Sequence, residues 1–212
     1  MVGKLLVLRD NTRRKQAEME LQEANRRLEI QIDEANRLRD QLKDQAIHDS
    51  LTGLFNRRYL TETLDRELSR ANRDKAQLSI LMFDIDHFKL ANDRFGHACG
   101  DQILQMLGEL FRGHTRKEDV ACRYGGEEFV LVMPGMSVKA AQDKAEELRR
   151  RCSEMEFIQA GELIRITVSV GVSVFPLNGR SPDELLRAAD RALYRAKAQG
   201  RNCTVVEPAI MG

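Results

Sequence analysis

The chain has 212 residues, with 34 basic against 33 acidic side chains, a net charge of +1 and 5% aromatics. A general nucleic-acid binder needs a basic excess and a base-stacking surface needs aromatics, so no nucleic-acid partner is expected. No apolar run approaches the ~20 residues of a membrane-spanning helix, so no membrane segment is expected in this chain. The cysteines at 99, 122, 152 and 203 form no C-x-x-C pair and no ligand spacing with the histidines, which argues against zinc. Scattered thiols suit a reducing compartment, and a cytoplasmic protein is expected.

In residues 1–12, Lys4-Leu-Leu-Val-Leu-Arg9 has a short strand pattern. One strand cannot bury its faces alone, so it reads as the remnant of an upstream domain. The stretch from Leu8 to Lys15 resembles the closing strand and exit motif of PAS-type sensor domains. Residues 13–46 contain neither Gly nor Pro, and Leu21, Leu28, Ala35 and Leu42 recur every seven residues. That period predicts a coiled-coil signalling helix and, through it, a homodimer. With those four at d, the a positions are Asn25, Ile32, Arg39 and Ala46. With them at a, the d positions are Ala24, Gln31, Leu38 and Gln45. Neither register is clean, and a single exposed helix is the alternative.

Residues 47–207 alternate helix and strand patterns, and 208–212 form a tail. Tyr59, Leu60, Leu64, Leu68 and Ala71 space as a helix; Ile80-Leu-Met-Phe83 suits a strand buried on both faces. Ile103, Leu104, Leu107, Leu110 and Phe111 make a helical stripe. Val120–Tyr124 and Phe129–Met133 flank Gly125-Gly-Glu-Glu128, a hairpin signal. A helix is expected from Ser137 to about Cys152, then one long strand or a bent pair from Ile164 to Phe175. Ser181-Pro-Asp-Glu184 is a capping box with Pro at the first helical position. Gly200 closes that helix, and Thr204–Val206 is a final strand. The fold class is α+β, a ferredoxin-like βαββαβ sandwich whose central sheet contains antiparallel pairs.

Phe83-Asp84-Ile85-Asp86-His87-Phe88-Lys89 ends a buried strand in carboxylates, and the glycine hairpin carries Glu127 and Glu128. If the strands are neighbours, about 4.8 Å apart, one acid from each can share a hard cation. Mg²⁺ commonly takes one or two carboxylates and keeps positions for phosphate oxygens. Paired glycines are expected to let the turn adopt positive φ and admit a bulky ligand. The bland alternative is an exposed acidic hairpin beside a strand-end Asp.

Gly125-Gly-Glu-Glu-Phe129 resembles the motif that names the GGDEF family of diguanylate cyclases. Asp49–Arg57, Phe83–Lys89, Asn92–His97, Gly100-Asp101, Arg123-Tyr124 and Ala196–Asn202 also resemble that family's motifs, in its order, over 47–207. The resemblance implies a sheet of the nucleotidyl-cyclase and polymerase-palm type. It implies condensation of two GTP into cyclic di-GMP with release of two pyrophosphates. Asp84, the Ile85 carbonyl and Glu127 would then hold Mg²⁺ or Mn²⁺, two cations per site. Glu127 would be the candidate base, its division of work with Glu128 left open, and Lys89 would neutralise transition-state charge. Phe88, Asn92, His97, Asp101 and Gly126 would line the nucleotide site, and Asn92 and Asp101 would read guanine. Lys197 and Arg201 would reach the β- and γ-phosphates, although Lys197 is favoured near a helix C-terminus anyway.

Arg116-Lys-Glu-Asp119 stands where the family keeps a product-binding inhibitory site, so the product is also an expected inhibitor. The second arginine of that site would come from the following helix, but counting lands on Glu147. Product symmetry implies two domains facing each other.

Overall fold

The computed structural model describes residues 2–159 and 161–209, with side chains outside 2–13 and 40–43. The chain divides into two units after Ala46. The first is helix α1, Val2–Ile47. Without Gly or Pro across 13–46, nothing interrupts its ladder. Its bounds include residues 4–9, so the strand expected there is replaced by helix. A lone strand has no neighbour to take its hydrogen bonds, whereas a helix satisfies its own. The side chains of 2–13, and with them the likeness to a PAS exit, lie outside the described residues. The expected tail is described only to residue 209.

The second unit is a six-stranded sheet in the order β1-β3-β4-β2-β7-β8. Its strands are β1 (Phe55–Asn56), β2 (Leu78–Ile85), β3 (Val120–Arg123), β4 (Glu128–Pro134), β7 (Val168–Phe175) and β8 (Thr204–Val206). β2 lies between β4 and β7, antiparallel to both, and is buried along its whole length. This burial explains its continuous apolar run. Helices α3 (Phe88–Phe95), α4 (His97–His114) and α5 (Val138–Glu154) share a core with Leu81, Phe83 and Phe129. Helices α2 (Arg57–Asp74) and α6 (Pro182–Ala198) share another with Ile80, Met82 and Val130. The alternation along β2 and β4 therefore sends odd residues to one helix layer and even residues to the other.

Three local features shape this unit. The sheet has a sixth strand, β1, which runs parallel to β3. The alternating run from Ile164 is split between β6 (Glu162–Arg165), which pairs with β5 (Glu156–Gln159) in a separate hairpin, and β7. The break falls at Thr167, whose carbonyl and hydroxyl are both taken by Asp86. Third, Gly171 in β7 has no room for a side chain. A Cβ there would lie 2.1 Å from the Ala189 carbonyl oxygen. The glycine lets α6, which carries Lys197, lie close on the sheet. α6 starts at the expected cap: the Ser181 hydroxyl accepts from Glu184 N–H and the Glu184 carboxylate accepts from Ser181 N–H.

Candidate active site

The end of β2 and the β3–β4 turn bring three carboxylates together. Asp84 is the register partner of Glu128, and Ile85 N–H donates to the Glu127 carbonyl. Asp84 is buried, whereas Glu127 and Glu128 are half-buried. Burial pushes all three carboxyls above their usual range. The Asp84 charge adds to this for both glutamates, and Glu128 adds to it for Glu127. Lys197 opposes the shift from α6, its Nζ 2.7 Å from Asp84 Oδ2. Arg201 also acts favourably on Asp84. A buried, mutually repelling acid group with too little positive charge is a fit for a hard cation. Among the described residues no group of three or more His, Cys, Asp or Glu forms a metal-binding cluster. The donors expected from the sequence, Asp84, the Ile85 carbonyl and Glu127, number two carboxylates and one carbonyl, a set that would leave positions for phosphate oxygens.

The hairpin glycines work differently from expectation. Neither Gly125 nor Gly126 has positive φ. Gly125 instead makes room, since a Cβ there would sit 2.5 Å from Glu128 Oε2. Gly126 faces open space, and its carbonyl accepts from Arg123 Nη2 at 2.8 Å. Arg123 Nη1 also reaches both Asp49 oxygens, at 3.2 and 3.3 Å. Asp49 in turn accepts from Thr52 N–H and Oγ1. The Asp49–Thr52 turn thus anchors the hairpin from 74 residues away, a role that no local pattern disclosed.

On the other helix layer, α3 and α4 meet at Gly96 (φ 83°). Asn92 and Gly100 face each other across that elbow. A Cβ at Gly100 would lie 2.0 Å from Asn92 Oδ1 and 3.0 Å from the buried Phe88 ring. Asn92 Oδ1 is buried, and among the described residues nothing donates a hydrogen bond to it. Such an acceptor is costly unless something donates to it. Asp101 lies one residue after Gly100 and is exposed, as are His97 at the start of α4 and Lys89 in α3.

Beyond the carboxylates, α6 runs into a turn carrying Arg201, which is exposed. Asp86, seen in the sequence only as a second strand-end acid, accepts from this turn at Asn202 N–H. A cavity of about 490 Å³ opens beside Glu128, bounded by Asp190, Arg191, Tyr194 and Lys197 of α6. Asp190 and Tyr194 were not singled out from sequence; their signal is the helical spacing to Lys197.

The Arg116–Asp119 segment lies apart, at the turn before β3. Arg116 is exposed and Asp119 is buried. Asp119 Oδ2 accepts from Arg116 N–H at 2.8 Å, so the carboxylate closes its own turn. Burial raises Asp119, opposed by Arg116 and by Lys144 of α5. Lys144 Nζ is 3.1 Å from Glu147, the residue at the counted arginine position. The basic group that α5 offers to Asp119 is therefore Lys144.

The diguanylate cyclase, GGDEF domain family matches residues 46–203. Response regulator PleD of Caulobacter vibrioides is 40% identical over 193 residues, 87% of this chain and 42% of the relative. Diguanylate cyclase DgcP of Pseudomonas aeruginosa is 39% identical over 208 residues, 93% of this chain and 31% of the relative. The chain thus spans less than half the length of these relatives. The coiled coil and GGDEF domain of DgcB from Caulobacter crescentus, solved in complex with c-di-GMP, superposes with a TM-score of 0.75 at 30% identity. The match covers 85% of this chain and 97% of that one. Among the described residues, no helix is long and apolar enough to cross a membrane.

Proposed function

Because this chain belongs to the diguanylate cyclase, GGDEF domain family, we propose that it condenses two GTP into cyclic di-GMP and releases two pyrophosphates. One observation carries the reading. Asp84, ion-paired with Lys197, lies in register with Glu128, and the neighbouring Ile85 N–H bonds the Glu127 carbonyl, so the acid end of β2 meets the glycine hairpin. Asp84, the Ile85 carbonyl and Glu127 would hold Mg²⁺ or Mn²⁺, two ions per site. Such ions supply charge neutralisation on the triphosphate and acidify the attacking 3′-hydroxyl.

The chain's own groups do the rest. Asn92 Oδ1 accepts from the guanine N–H edge, and Asp101 adds a second acceptor that adenine would not satisfy. Lys197 exchanges Asp84 for the β- and γ-phosphates as the nucleotide enters, joined by Arg201. Lys89 offsets charge that builds on the α-phosphate. Glu127 takes the 3′-hydroxyl proton, with Glu128 next to it. Two such domains face each other, since each 3′-hydroxyl attacks the other nucleotide. Pairing of α1 helices supplies the second domain at high effective concentration. The exposed Leu21, Leu28, Ile32 and Leu38 support that pairing. Product bound at Arg116 and Asp119, with Lys144 as the neighbouring cation, provides feedback inhibition.

The test is incubation with GTP and Mg²⁺ followed by chromatography of the nucleotides. Cyclic di-GMP and pyrophosphate should form with wild type and not with Glu127→Gln, which keeps the volume but removes the charge. A wild-type protein that binds GTP without turning it over would make this a receptor and overturn the reading.

A further inference from the structure

Asp84 and Asp86 are two residues apart, yet their surroundings differ. Asp84 pairs with Lys197 and is the register partner of Glu128. Asp86 is buried, and both its oxygens are already used. Oδ1 accepts from Ser169 Oγ at 2.7 Å, and Oδ2 accepts from Thr167 Oγ1 at 2.7 Å and from Asn202 N–H at 3.0 Å. Its own N–H donates to the Thr167 carbonyl.

The segment that Asp86 grips is conformationally unfavourable. Gly200, Arg201 and Asn202 have φ of 109°, 66° and 46°. Two successive non-glycine residues in the left-handed region persist only where their surroundings hold them. Four further ties surround this turn. Arg201 N–H donates to the Ala196 carbonyl, and the Cys203 thiol donates to the same oxygen. Arg149 of α5 donates to Asn202 Oδ1, and Val170 N–H donates to the Cys203 carbonyl. Among these, the Asp86 bond alone joins the turn to the segment that directly follows β2, the strand that bears Asp84. Arg201, in the same turn, is exposed.

We infer that Asp86 is a positioning residue: it holds the left-handed Arg201–Asn202 turn so that the Arg201 guanidinium is aimed at the triphosphate of the bound nucleotide. This rests on the nucleotide reading above. Asp86 touches no reacting atom; it fixes the distance between the acid end of β2 and the cation in the turn after α6.

The experiment measures binding of a non-hydrolysable GTP analogue with Mg²⁺ by calorimetry. Wild type, Asp86→Asn, Arg201→Ala and the double variant are compared, with thermal unfolding of each as a fold control. Asp86→Asn should weaken binding about tenfold alone and less than twofold when added to Arg201→Ala, the coupling expected of residues that act through one another. An equal loss in both backgrounds would show that Asp86 merely supports the fold. Unchanged affinity in Asp86→Asn would also overturn the inference. If wild type fails to bind the analogue, the nucleotide reading falls and this inference with it. Thr167→Val, which removes one bond to Asp86 Oδ2, serves where Asp86→Asn does not fold. It should weaken binding about threefold, and wild-type affinity there overturns the assignment.

Discussion

At the scale of single residues, the acids at the end of β2 oppose the fold that contains them. A carboxyl whose folded pKa is raised binds more protons folded than unfolded between its ordinary value and the raised one. The contribution of Glu127 to stability therefore falls as pH rises through that window and stays reduced above it. Burial is the larger cause and the Asp84 charge the next. Glu127→Gln should therefore raise the metal-free melting temperature at pH 7.5 by about 1–3 °C while abolishing turnover. Mg²⁺ should raise the wild-type melting temperature more at pH 7.5 than at pH 5, and the variant's hardly at all. A variant that melts below wild type without metal would refute the repulsion. Arg116 allows a different test. It is exposed and its guanidinium can meet a phosphate, whereas one oxygen of Asp119 closes the turn that carries it. Arg116→Ala should weaken cyclic di-GMP binding by about 1.5–3 kcal/mol and relieve inhibition without slowing the initial rate. Full wild-type activity in saturating product would refute the inhibitory site.

At the scale of elements, the α3–α4 elbow couples packing to base recognition. Gly100→Ala would put a methyl 2.0 Å from Asn92 Oδ1. The amide is the end of a side chain and can rotate away, so the fold should survive with a melting temperature near wild type. The displaced acceptor should no longer meet guanine, and the KM for GTP should rise about tenfold with kcat much less changed. A wild-type KM would show that Asn92 does not contact the base. Much of this architecture was legible because its signals are local. The apolar run of β2, the Ser181–Glu184 cap and the glycine hairpin each follow from neighbouring residues. Long-range ties gave no such signal. Alternation continues across Ile166 and Thr167, yet the strand breaks there because Asp86, 81 residues away, takes Thr167. Asp49 and Arg123 are likewise paired across 74 residues. The site's residue types were visible, but the separate duties of Asp84 and Asp86 depend on which neighbours the sheet supplies.

At the scale of the whole molecule, the proposed reaction would require α1 to bring two catalytic units together. At 1.5 Å per residue, 46 residues make a rod about 69 Å long. Leu21 and Leu28, which both seams share, are 61% and 55% exposed in the single chain, an apolar cost that a second helix would remove. Ala35 is exposed as well, and the side chain of Leu42 lies outside the described residues. One seam adds Asn25, Ile32, Arg39 and Ala46; the other adds Ala24, Gln31, Leu38 and Gln45. Each mixes apolar and polar positions, and a polar residue at a core position costs stability while fixing register. Neither packing should therefore win by much. A small gap is what a switch requires, since an input of a few kcal/mol then moves most of the population. Moving from one seam to the other rotates each helix about its axis and changes how the catalytic units face. Arg39→Leu should favour the first seam, and Gln31→Leu with Gln45→Leu the second. At equal dimer content by sedimentation, the two variants should form cyclic di-GMP at rates at least fivefold apart, because a gap of about 1 kcal/mol already shifts the packing ratio by that factor. Equal rates would mean that α1 dimerises the protein and transmits nothing.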